Sequence, residues 1–105
     1  MIELREYQTV QGQSPFAQWF DGLDGVAAAK VTTYLTRIQN GNVSRVESVG
    51  GGVYECRIDF GPGYRVYFGK VGERWIILLA GGTKKRQSQD ILQAKAYWQD
   101  YKKRS

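Results

Sequence analysis

Val53-Tyr-Glu-Cys-Arg-Ile-Asp-Phe60, Gly61-Pro62-Gly63, Tyr64-Arg-Val-Tyr-Phe-Gly-Lys70 and Trp75-Ile-Ile-Leu-Leu-Ala-Gly-Gly82 decide the fold. They read as three strands joined by two tight turns. Gly61-Pro62-Gly63 forms the first turn, because Gly tolerates positive φ and Pro presets φ near about −65°. Val71-Gly72-Glu73 forms the second, with a Gly inside a short hairpin loop. The first two strands alternate with period two. Tyr54, Cys56, Ile58 and Phe60 share one face of the first, and Glu55, Arg57 and Asp59 share the other. In the second, Tyr64, Val66 and Phe68 oppose Arg65 and Tyr67. The third strand is apolar on both faces, which suits the middle of a sheet covered on both sides. The apolar face needs a helical cover. The other face is expected to offer Arg57, Arg65 and Tyr67 to water or to a ligand.

The segments before this meander supply the cover. Ile2 to Gln8 alternates and reads as a short strand. Ser14-Pro15 starts a helix, since Ser caps free N–H groups and Pro loses nothing at the first helical position. Phe16, Trp19, Phe20 and Leu23 form one stripe on it. Asp24 caps a second helix, whose stripe is Ala27, Val31, Tyr34, Leu35 and Ile38. Gly41 ends that helix as a left-handed cap. Two amphipathic helices with so short a link make a hairpin that covers the sheet. Val43 to Ser48 reads equally as extended chain or loop. Gly50-Gly51-Gly52 lacks the Lys-Ser/Thr of a P-loop and reads as a hinge. Beyond the meander, Lys84-Lys85-Arg86 forms a basic loop. Ile91, Ala94, Trp98 and Tyr101 then place a helix from Gln89 to about Lys102. Asp90 reads as a partner of that helix's dipole. The expected class is α+β, in the order β-α-α-β-β-β-α.

Length and charge narrow the function. The 105 residues read as one domain, 1–105, since an even split would leave pieces too small for a good core. The single cysteine, Cys56, excludes an intramolecular disulfide and reads as a small core hydrophobe. No histidine exists to activate it as a nucleophile. No apolar run approaches the ~20 residues of a membrane span. The start of the chain has neither the basic residues nor the apolar centre of a signal peptide, so a cytoplasmic location is expected. The net charge of +5 is unevenly spread. Residues 1–56 carry four bases against six acids, and residues 57–105 carry eleven against four. A half so basic, with its cations on a strand face and in a loop, points to a polyanionic partner.

The chain resembles the RelE/ParE toxin superfamily and, within it, the HigB-like, phage-derived addiction module killer group. The resemblance is carried by Trp19-Phe20-Asp21-Gly22-Leu23 and Gly41-Asn42 among the helices. In the meander it is carried by Gly52-Val53-Tyr54-Glu55-Cys56-Arg57-Ile58 and Gly61-Pro62-Gly63-Tyr64-Arg65-Val66-Tyr67. Gly81-Gly82-Thr83-Lys84 and Gln89-Asp90-Ile91 with Ala94 complete it. The resemblance implies a toxin that cleaves messenger RNA in the A site of the 70S ribosome. It implies a cognate antitoxin, usually a helix-turn-helix protein, through which the complex can hold operator DNA. It implies chemistry without metal or cofactor, in which the ribose 2′-oxygen attacks the neighbouring phosphorus. Arg65, Lys84 and Lys85 match the positions that relatives place around the scissile phosphate, with Arg57, Tyr67 and Arg86 beside them. Guanidinium and ammonium groups stabilise charge building on phosphoryl oxygens. A lysine among other cations has its ammonium form disfavoured, which suits Lys84 or Lys85 to proton transfer. Tyr67 is placed to stack on a base or donate a hydrogen bond. Glu55 either accepts a proton or pairs with Arg57 and holds it. Where several relatives carry a tyrosine soon after the basic loop, this chain has Gln87-Ser88-Gln89-Asp90-Ile91. Two other functions are compatible with the resemblance: a DNA gyrase poison, and a degenerate toxin that only binds its antitoxin or RNA.

Overall fold

The computed structural model describes residues 2–105. Strand β1 spans Glu3–Glu6, and helices α1 and α2 span Pro15–Asp21 and Gly25–Gln39. Strands β2 to β5 follow at Val46–Gly50, Val53–Ile58, Tyr64–Val71 and Trp75–Thr83. A 3-10 turn, Lys84–Arg86, leads into α3, Gln87–Arg104. The fold is α+β, with one five-stranded sheet in the order β1-β5-β4-β3-β2. Among the described residues, only the β1–β5 pair is parallel.

The expected caps are in place: Ser14 Oγ accepts from Ala17 N–H and an Asp24 carboxylate oxygen from Ala27 N–H. The α1–α2 hairpin buries Phe16, Ala27, Val31, Leu35 and Ile38 against Cys56, Ile58, Val66, Phe68, Ile76 and Leu78. That face is apolar throughout. A fully buried aliphatic or Phe side chain contributes about 1.5–3 kcal/mol, so this layer carries much of the stability. Burial also pushes the Cys56 thiol up to about 11, as a packing residue requires.

Val43 to Ser48, open between extended chain and loop, is both: 43–45 is loop and β2 begins at Val46. A first expectation needs correction: the triple glycine is no hinge. Gly50, Gly51 and Gly52 all take positive φ and reverse the chain between β2 and β3. The alternation in β2 is too weak to read, because Glu47 and Ser48 are both exposed on an edge strand.

The larger correction concerns the face bearing the arginines, which is not open. Helix α3 covers it, packing Ala94 and Trp98 on Val53, Tyr67, Ile77 and Leu79. Gly69 makes this possible: a Cβ there would collide with the Trp98 ring. Gly81 does the same for Trp19 on the opposite face. The C-terminal end of α3 and the turn that leads into it are both pinned. Tyr7 Oη donates to Asp100 Oδ2 at 2.6 Å, and Arg104 donates to Asp100 and to the Gln8 carbonyl. At the other end, Lys84 N–H donates to the Gly63 carbonyl at 2.8 Å. Among the described residues, no helix is long and apolar enough to cross a membrane.

Candidate functional site

Strand register sets the site. Arg57 on β3 pairs with Arg65 on β4, and Arg65 pairs with Gly82 on β5. Period-two geometry then puts Glu55, Arg57, Arg65 and Tyr67 on the face beneath α3. Arg65 is only 9% exposed. Its Nε lies 3.5 Å from Glu55 Oε2, and Glu55 is itself 2% exposed. Gln87 Nε2, at the start of α3, donates to the same Glu55 oxygen at 2.8 Å. The carboxylate therefore holds the guanidinium from inside. The outer end of Arg65 reaches Gly63: a Cβ there would lie 3.9 Å from Arg65 Nη1 and 3.4 Å from Lys84 Cβ. Strand arginine and basic turn thus converge beside one glycine.

Among the described residues, four buried side-chain polar atoms lack a hydrogen-bond partner: Arg57 Nε, Arg65 Nε, Tyr67 Oη and Asp90 Oδ2. All four belong to the α3 side of the sheet. Buried polar groups are normally satisfied, so such a concentration marks a site. Burial first, then the Glu55 charge, raises the Tyr67 phenol far above its ordinary value. Burial also raises the Asp90 carboxyl, with Arg86 pulling it down. Asp90 lines a shallow groove with Trp19, Gly81, Gly82, Thr83 and Arg86.

Residues 18–102 match the sequence model of the family described as "Phage derived protein Gp49-like (DUF891)". The chain belongs to the Gp49-like family. That family is phage-derived and associated with toxin–antitoxin modules, which points to an antitoxin partner. A Haemophilus influenzae (strain Rd) protein described as uncharacterized is 42% identical over 86 residues, 81% of this chain and 87% of the relative.

In this Gp49-like chain the expected site residues divide. Arg57, Arg65, Glu55 and Lys84 come together around the Arg65 register line. Lys85 and Arg86 are exposed on the same turn, with Arg86 Nη2 donating to Gln89 Oε1 at 3.3 Å. Tyr67 is corrected: it is wholly buried under α3 and cannot stack on a base. Glu55 is corrected twice. It pairs with Arg65 rather than Arg57, and its burial keeps it from taking a proton from a bound chain. Arg57 instead meets Glu47 of β2, with Nη2 3.2 Å from Oε1. Sequence reasoning missed Gln87 and Asp90. The available signal was their place in the first turn of a helix that follows three cations, where side chains reach back towards the preceding strand.

Proposed function

We propose that this Gp49-like protein is the toxin of a toxin–antitoxin pair and acts, as one 105-residue unit, as a ribosome-dependent messenger endoribonuclease. Its reaction is attack by a ribose 2′-hydroxyl on the adjacent phosphorus. The observation that carries this reading is Arg65. Its guanidinium is desolvated, held from within by Glu55 and presented beside Lys84. A guanidinium fixed at one end offers its outer N–H groups as a fork for phosphate oxygens. Desolvation strengthens that grip on developing charge, and the preformed geometry removes the cost of rearrangement. Arg57 and the Lys84–Arg86 turn extend the positive surface along the nucleic acid. The neutralising partner is a cognate helix-turn-helix antitoxin, which carries the pair onto operator DNA. The ribosomal A site, in the cytoplasm, supplies the messenger.

The test is to induce the protein in cells and map messenger 5′ ends. Growth arrest with new messenger ends is expected, and Arg65→Ala should abolish both while antitoxin still binds. Arrest with whole messengers and broken DNA would instead indicate gyrase poisoning. Harmless expression would indicate a toxin that only binds.

A further inference from the structure

The cations described so far account for charge at phosphorus but not for the proton of the attacking hydroxyl. The chain has no histidine, and Glu55 and Tyr67 are sealed. Asp90 is differently placed. Its side chain is 16% exposed and lines the groove beside the basic turn. Its Oδ2 is wedged where a Cβ on Gly82 would stand and has no partner. Its Oδ1 faces Arg86 Nε at 3.9 Å. Gly82 is the cross-strand partner of Arg65, so carboxyl and guanidinium flank one register line.

We propose that Asp90 is the proton acceptor of the cleavage step, an inference that rests on the nuclease reading above. Only a glycine at 82 leaves room for this carboxyl, and an oxygen stripped of partners makes the other oxygen more basic. Burial raises its pKa accordingly. The groups that face it include Arg86 from the turn. From the sheet they are Tyr67, with Arg65 and Glu55 beyond it. Helix α1 contributes uncharged Trp19. In the step, the bond from the 2′-oxygen to phosphorus forms and the bond from phosphorus to the 5′-oxygen breaks. Asp90 Oδ1 takes the 2′-hydroxyl proton. The departing 5′-oxygen takes a proton from the Lys84 ammonium. The products are a cyclic phosphate and a 5′-hydroxyl, and solvent resets both side chains.

The sign of the pH dependence follows. A base works when deprotonated, so cleavage falls as pH drops through the Asp90 pKa, which burial raises from the usual aspartate value. Stability runs the other way. A raised folded pKa favours the folded state while the proton is held and is lost as pH rises. The experiment measures single-turnover cleavage of ribosome-bound messenger against pH, with thermal melts, for wild type, Asp90→Asn and Asp90→Glu. Asp90→Asn should cleave about 100-fold more slowly, lose the acid limb and melt no lower than wild type at neutral pH. Asp90→Glu should keep the limb at a reduced rate. Wild-type-like cleavage by Asp90→Asn at every pH overturns the role of Asp90 and leaves the nuclease reading standing. An Asp90→Asn protein that melts lower and keeps the acid limb has lost only structure, which also overturns it. Wild-type protein that cuts no messenger overturns both.

Discussion

The two faces of the sheet are built to different rules. Beneath the α1–α2 hairpin the packing is apolar from Phe16 to Phe68, and the positions of β3 and β4 there read as core. Beneath α3 the packing changes along the helix. Its later turns seat Ala94 and Trp98 on Val53 and Leu79, while its first turn carries Gln87 and Asp90 over Glu55 and Gly82. Each of the four buried polar atoms without a partner lies on this second face. The contrast teaches a division of labour: one face is filled by apolar packing, and one end of the other holds buried polar atoms without hydrogen-bond partners, which the proposed function assigns to phosphate binding. Natural chains concentrate such local conflicts at functional sites.

Substitutions can break that division. The largest loss of stability should come from the hairpin face. Phe68→Ala removes a fully buried ring and should cost about 4 kcal/mol by chemical denaturation. Cleavage per folded molecule should hardly change; a large specific loss would erase the distinction between the faces. Arg65→Ala comes next. It leaves Glu55 buried and uncompensated, at about 3 kcal/mol. It should also lower messenger cleavage by about 100-fold or more at a temperature where the protein is folded. The smallest effect sharpens the comparison. The Tyr67 hydroxyl lies beside Glu55 without a well-formed hydrogen bond, so Tyr67→Phe should shift stability by less than about 1 kcal/mol. A marked loss would mean that the hydroxyl is satisfied in solution and the second face is less strained than described.

The sequence makes the first face legible and half of the second. Alternation in Tyr54 to Phe68 and the capped stripes of α1 and α2 specify a hairpin on an apolar sheet face, because burial there depends only on periodicity. Arg65 and Lys84 are legible as candidates from residue type and from the resemblance. Burial under α3 is not. The stripe of Ile91, Ala94, Trp98 and Tyr101 shows that this helix packs, but not on which face. The deciding feature is Gly69, whose missing side chain admits Trp98, and a lone glycine in a strand does not announce its partner. The exchange of partners, Glu55 to Arg65 and Arg57 to Glu47, depends on β2, whose weak alternation hid it. Asp90 sits in the first turn of α3, as its reading as a dipole partner requires, but its place over Gly82 is not legible from the sequence.

The central claim is that the buried pair on the second face serves phosphate chemistry rather than stability. The direct test is the double substitution Glu55→Met with Arg65→Met, assayed for melting temperature and for cleavage of ribosome-bound messenger. Replacing a buried ion pair by apolar side chains of similar size is often neutral or stabilising. The account predicts a protein that melts at or above the wild-type temperature and leaves messengers whole. A double variant that still cleaves at the wild-type rate would contradict it.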